Sequence, residues 1–336
     1  MANLDPKNVL GSVEMFLDQC EQIWQEAKQL QFPEDYKSCQ NIVVCAMGGS
    51  AYGGYVAPAL FKDQLRVPLV SNNDYHLPSF ANENTLAILS SYSGGTEEIL
   101  SCEKEALEKG LKIAGITTGG ILGEFLKTNH GLIFDPKFNP SGQPRLGMGY
   151  MVLGIVAILN KLGMINVTDE EIAKAILEVR SSQEEIKDKA KELAEKIFGF
   201  IPVIFAAEFL SGNAHIVRNQ FNETSKSFAA FSLLSELNHH LMEGLKNPPD
   251  KRLFVLFINS DLYSDKLKRR MELTKDVVGK NNVLFDEYKA QGSSKLSQVL
   301  EVLSFGAYIT LYLAFLYGQD PSVIPWVDYF KQQLEK

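Results

Sequence analysis

The chain has 336 residues, more than one hydrophobic core usually supports, so two domains of roughly 150 residues each are expected. An apolar fraction of 45% beside 22% charged residues is ordinary globular composition and excludes disorder over most of the length. The net charge of −8 argues against a broad nucleic-acid or anionic-membrane surface, yet leaves room for an anionic small molecule in a locally positive pocket.

Residues 6–31 carry apolar side chains at helical spacing (Val9, Val13, Phe16, Leu17, Cys20, Ile23, Trp24), which predicts a lead-in helix. The run Ile42 to Met47, rich in β-branched residues, predicts a buried strand stopped by Gly48 and Gly49. Ala87 to Leu89, Ile113 to Ile116 and Leu132 to Phe134 predict three more, with a helix over Glu97 to Lys109. Such alternation implies a doubly wound α/β fold, a parallel sheet with helices on both faces. A Pro-containing loop, Asp135 to Pro144, interrupts it, and Arg145 to Leu162 reads as one helix. The charged stretch Asp169 to Lys196 reads as helical with a solvated face between domains. Strands resume at Pro202 to Phe205 and Leu253 to Ile258, followed by helices near 293–317 and 325–335. The expected division is 1–165 for the lead-in helix and first domain, 166–196 for the charged linker, and 197–336 for the second domain.

Cys20, Cys39, Cys45 and Cys102 have no C-x-x-C spacing, and no histidines complete a zinc pattern, so reduced thiols and no metal site are expected. The N-terminus shows no basic region followed by an apolar run, and a cytoplasmic location is expected. Phe305 to Tyr317, the longest apolar stretch, is too short to span a bilayer and predicts a buried helix; no membrane partner is expected.

Two turns could carry chemistry. Ser91-Tyr92-Ser93-Gly94-Gly95-Thr96 follows a buried strand and opens a helix, so hydroxyls and backbone N–H groups can converge on a phosphate at the helix N-terminus. The plain alternative is a helix cap by Thr96 in a tight turn. Gly48-Gly49-Ser50 occupies the same kind of strand-to-helix position, where glycines let the backbone approach a ligand or simply a neighbouring element. It lacks the endings of a Walker loop and of a dinucleotide fingerprint. Taken singly, Glu223, His239, Arg145 and Lys331 would each be ordinary solvated side chains.

The ordered set Gly48-Gly49-Ser50, Ser91-Tyr92-Ser93-Gly94-x-Thr96, Pro144-Arg145, Asn222-Glu223, Glu236-Leu237-Asn238-His239 and Gly318-x-Asp320-Pro321 resembles the bifunctional phosphoglucose/phosphomannose isomerases. The match runs over nearly the whole chain. It implies two tandem sugar-isomerase (SIS) domains and aldose–ketose isomerisation of hexose 6-phosphates through a cis-enediolate, with no cofactor. By position, the resemblance implies that Ser50, Ser91, Ser93 and Thr96 hold the sugar phosphate, with Gly48, Gly49 and Gly94 shaping the loops around it. It implies that Arg145 stabilises the enediolate and that Glu223 moves the proton between C1 and C2. It further implies that His239 assists ring opening from across a homodimer interface, that Lys331 lies near the ring oxygen, and that Ser322 stands near a hydroxyl position tied to acceptance of mannose 6-phosphate. Ala46, Ala51, Gly95, Thr224 and Ser235 depart from the common pattern, and none removes a charged group. Similar domains serve as non-catalytic phosphosugar sensors in regulators. The charged groups at 145, 223, 239 and 331, with no evident DNA-binding segment, favour the enzyme. A glutamine-dependent transferase is disfavoured, since no glutaminase domain with a cysteine nucleophile is visible.

Overall fold

The computed structural model describes residues 4–334. The chain opens with α1 (Val9–Glu14) and α2 (Phe16–Glu26), interrupted at Met15 where one continuous helix was expected. A five-stranded sheet follows, built from β1 (Asn41–Ala46), α3 (Tyr52–Leu60), β2 (Leu69–Asn72), β3 (Thr85–Ser90), α4 (Glu97–Glu108), β4 (Lys112–Thr117), α5 (Gly120–Leu126) and β5 (His130–Ile133). Its order is β2-β1-β3-β4-β5 and every pairing is parallel. The central strands are apolar on both faces because helices cover both.

Arg145 does not lie in a helix. Pro144–Leu146 forms a short 3₁₀ turn, and α6 (Met148–Lys161) begins only after Gly147, which lies so close to the Tyr92 ring that a Cβ there would meet it at 2.4 Å. Met148 to Leu159 are all buried, since α6 packs against both α2 and α3.

The charged stretch is two helices, α7 (Asp169–Ser181) and α8 (Gln183–Ile197), separated at Ser182. Neither is merely a solvated face. Ile172, Ala175, Ile176 and Val179 of α7, and Ile186, Ala190, Leu193 and Ile197 of α8, form buried stripes, with the charges on the opposite side.

The second sheet comprises β6 (Ile201–Ala206), α9 (Ser211–Glu223), β7 (Ala230–Leu233), α10 (Leu241–Gly244), β8 (Leu253–Ser260), α11 (Asp265–Lys280) and β9 (Leu284–Ala290), in the order β7-β6-β8-β9 and again all parallel. The chain ends with α12 (Lys295–Leu316) and α13 (Pro325–Leu334). Among the described residues, α12 is the one helix long and apolar enough to cross a membrane. It is buried instead against α7, α8 and α9, so the helix expected near 293–317 is present and packed in the core. The two halves meet where α3 packs on α9, with Tyr55 stacked on His215 at 3.8 Å between ring centroids. Partial burial and the nearby Arg218 push the His215 imidazole down to about 4, which favours a neutral ring in the stack.

Candidate active site

In the first sheet the chain leaves β1 toward β2 and returns past it to β3. The loops at the carboxyl ends of β1 and β3 therefore border a crevice where open parallel sheets hold ligands. Both hydroxyl-bearing turns lie there. The Ser50 hydroxyl accepts from the Tyr92 N–H at 2.9 Å, and the Ser90 hydroxyl donates to the Ser50 carbonyl at 2.8 Å, which fastens one loop to the other. Ser91 and Thr96 share a hydrogen bond between their hydroxyls at 2.8 Å. Thr96 makes no side-chain cap to α4, so the first turn of that helix keeps its dipole and donors facing the turn. Ser93 is exposed at the tip. Gly94, at φ 71, lies against α5, where a Cβ would stand 1.7 Å from the Gly119 carbonyl oxygen.

The loop after β1 also brings in Arg145. A Cβ on Gly49 would lie 2.6 Å from the Arg145 Cα, so only glycine lets the two backbones touch. The Arg145 side chain is buried at 1% exposure. Its guanidinium donates to the Gln143 Oε1 at 3.1 Å, to the Pro321 carbonyl at 2.6 Å and to the Ser322 carbonyl at 3.0 Å. Its Nε has no hydrogen-bond partner among the described residues. A buried cation held mainly by neutral acceptors retains attraction for a further anion.

Glu223, the last residue of α9, stands with Oε2 3.7 Å from the Arg145 Nη1. This is an ion pair without a direct hydrogen bond. Burial lifts the carboxyl pKa, and the positive charges of Arg145, Lys226 and Lys331 offset part of that rise. Glu223 opens onto a cleft of about 910 Å³, walled by the starts of β6 and β8, the turn Ser225–Phe228 and residues 323–327 leading into α13. Lys331 is exposed on α13, within electrostatic reach of Glu223. Ser322 is buried; its hydroxyl donates to the Asp320 carboxylate at 2.6 Å, and its carbonyl helps hold Arg145.

His239 lies elsewhere. It is exposed on the 3₁₀ turn Glu236–His239, beyond the carboxyl end of β7. Because α9 runs back from β6 to β7, its last residue, Glu223, returns to the opposite, amino edge of the sheet, and the residues lining the cleft do not include His239. The six residues of β6 span roughly 20 Å between the two edges. One chain brings Ser50, Arg145, Glu223 and Lys331 into a connected region and leaves His239 on another surface.

Three neighbours escaped the sequence reading. Lys226 lines the Glu223 cleft. Gln143 orients Arg145, and its place two residues ahead in the same loop was the available signal. The Tyr52 hydroxyl is fully buried without a hydrogen-bond partner among the described residues, close enough to feel Glu223 and Arg145, and its pKa is pushed up by burial. Its position at the start of an apolar helix gave no sign of this. Among the described residues no group of three or more His, Cys, Asp or Glu side chains is placed to hold a metal ion.

Known proteins bear on this arrangement. A bifunctional phosphoglucose/phosphomannose isomerase from Caldicellulosiruptor bescii is 33% identical over 332 residues, covering 94% of this chain and 96% of the relative. One from Aquifex aeolicus is 32% identical, covering 98% and 99% respectively. The family model for the bacterial phosphoglucose isomerase C-terminal SIS domain matches residues 186–334. Among solved structures, the C-terminal domain of glucosamine-fructose-6-phosphate aminotransferase from Francisella tularensis superposes with a TM-score of 0.72 at 14% identity, covering 93% of this chain and 97% of that one, a likeness of fold alone. Near-complete coverage at this identity settles the lineage: the chain belongs to the bifunctional phosphoglucose/phosphomannose isomerase family.

Proposed function

We propose that the chain interconverts glucose 6-phosphate and fructose 6-phosphate, and accepts mannose 6-phosphate, with Glu223 carrying the proton. The observation that supports this best is the partly buried Glu223 carboxylate 3.7 Å from the buried Arg145 guanidinium. In the open-chain aldose, the carboxylate takes the C2 proton, the electron pair forms the C1–C2 double bond, and negative charge moves to O1. Arg145 answers that charge with a cation that keeps its proton. Return of the proton to C1, with a hydroxyl proton passing from O2 to O1, leaves the ketose. Mannose 6-phosphate differs only at C2 and shares the same enediolate. Its acceptance needs only a turn of the C1–C2 unit against the carboxylate. General acid–base help of this kind contributes roughly 10²–10⁴-fold.

In this reading Ser50, Ser91, Ser93 and Thr96 hold the phosphate at the carboxyl ends of β1 and β3, and Gly48, Gly49 and Gly94 let the loops close around it. Lys331 serves the ring oxygen. The partner's His239 assists ring opening in a homodimer, a reading supported by its separation from Glu223 within one chain. Ser322 acts on sugar preference through the loop it braces. The division proposed is 1–165, 166–196 and 197–336, which leaves one sheet in each of the two larger parts. Four buried, unpaired cysteines fit a reducing, cytoplasmic setting.

The test is a coupled assay of the purified protein on glucose 6-phosphate and mannose 6-phosphate across pH. Turnover on both is expected, rising with pH as Glu223 ionises at a pKa above the usual carboxylate range. Binding of either sugar phosphate with no turnover at any pH would leave a phosphosugar sensor in place of an enzyme.

A further inference from the structure

Three residues beyond Glu223 the backbone passes through Lys226 at φ 55, in the left-handed region that non-glycine residues seldom occupy. The side chain is thereby folded back beneath the end of α9. Its ammonium donates to the Thr224 carbonyl at 3.0 Å and to the Asp320 carbonyl at 2.6 Å. Asp320 begins the segment that receives Arg145. Its carboxylate accepts from the Ser322 N–H at 2.7 Å and from the Ser322 hydroxyl at 2.6 Å, while the Pro321 and Ser322 carbonyls accept from Arg145. The loop from 320 to 322 is thus held at one end by Lys226 and in turn grips the guanidinium. Lys226 also lines the same cleft as Glu223, and its charge is among those that lower the Glu223 pKa.

We propose that Lys226 is a positioning residue for the proton transfer: its ammonium ties the 320–322 loop to the end of α9 and so holds Arg145 against Glu223, while adding positive charge beside the enediolate. This rests on the roles given above to Glu223 and Arg145. Nothing in the function already described requires a cation at this position. Two carbonyl acceptors from different segments are what a three-donor ammonium joins well.

The charged groups that face Lys226 are Arg145 ahead of α6, Glu223 on α9 and Asp320 after α12; Arg252, just before β8, lines the same cleft, and Lys331 on α13 acts on Glu223 through its charge. Burial and Arg145 pull the lysine pKa down to about 8, against the opposing pull of Asp320 and Glu223. The ammonium is therefore present below about pH 8 and lost as pH rises through it. Above that point the charge-assisted tie to Asp320 weakens and turnover falls.

The experiment compares Lys226→Met, Lys226→Arg and, as a control on the parent reading, Glu223→Gln. Lys226→Met is expected to lower kcat roughly 10- to 100-fold while KM stays within about threefold, as misplacement of a transition-state contact does. Lys226→Arg keeps the charge and two donors, so it should recover most of the turnover and carry the alkaline limb of kcat from about pH 8 to beyond about pH 10. Wild-type kcat in Lys226→Met would overturn the proposal. So would an alkaline limb that stays near its wild-type position in Lys226→Arg, and this readout decides the matter even where the methionine variant fails to fold. Full turnover in Glu223→Gln would remove the parent reading instead.

Discussion

A carboxylate can work as a base only if it is ionised and still reactive, and the surroundings of Glu223 serve both needs. Burial raises its pKa, which strengthens it as a base, and the positive charges of Arg145, Lys226 and Lys331 limit the rise and favour the ionised form. Arg145 lies beside it without a direct hydrogen bond, leaving lone pairs on the carboxylate for a substrate proton. The turn proposed to anchor the phosphate has a different logic. Ser91 and Thr96 already bond each other, so in the proposed reading they meet a phosphate as a pre-set pair of hydroxyls. Replacing Ser93 and Thr96 together by alanine should raise KM for glucose 6-phosphate at least about tenfold, the loss of two charge-assisted hydrogen bonds, with a smaller change in kcat. An unchanged KM would move the phosphate away from this turn.

At the scale of elements, what was legible in the sequence depended on burial. Ile42 to Met47, Ala87 to Leu89 and Leu253 to Ile258 announced β1, β3 and β8 because central strands of a parallel sheet are apolar on both faces. β2, β7 and β9 are edge strands, two of them only four residues long, and β9 carries Asp286, Glu287 and Lys289. Their patterns are too short or too polar to be told from loops. Helix breaks were missed where the apolar period continued across them, at Met15 and at Gly147. The second matters for the site, since it leaves Arg145 on a tight turn against Gly49 and not on a helix surface. The family was legible as an ordered set of motifs, and that set named the residues proposed above for the site. Lys226 and Tyr52 were not, because their roles arise from contacts between segments distant in sequence: Lys226 reaches Asp320, 94 positions away. No local pattern encodes such a meeting.

At the scale of the whole molecule, the two sheets are joined so that the carboxyl edge of the first and the amino edge of the second meet at Arg145 and Glu223. The same arrangement places His239 beyond the far edge of the second sheet. Two exposed aromatics, Phe228 and Trp326, line the Glu223 cleft, and Tyr329 and Phe330 are exposed on α13. If the histidine comes from a partner, His239→Ala and Glu223→Gln are each inactive alone but complementary once mixed. Random reassociation of equal amounts should restore about a quarter of wild-type turnover, since half the dimers are mixed and each then has one intact site. No recovery from a mixture shown to exchange subunits would place the histidine and the carboxylate of one site on the same chain.

The decisive question is whether the side chain at 223 physically carries hydrogen between neighbouring carbons. Glucose 6-phosphate incubated in deuterated water and followed by NMR answers it. The wild type should introduce deuterium at C2 of the aldose and C1 of the ketose, whereas Glu223→Gln, folded and still binding the sugar phosphate, should introduce none. Solvent exchange at the wild-type rate in that variant would contradict the account.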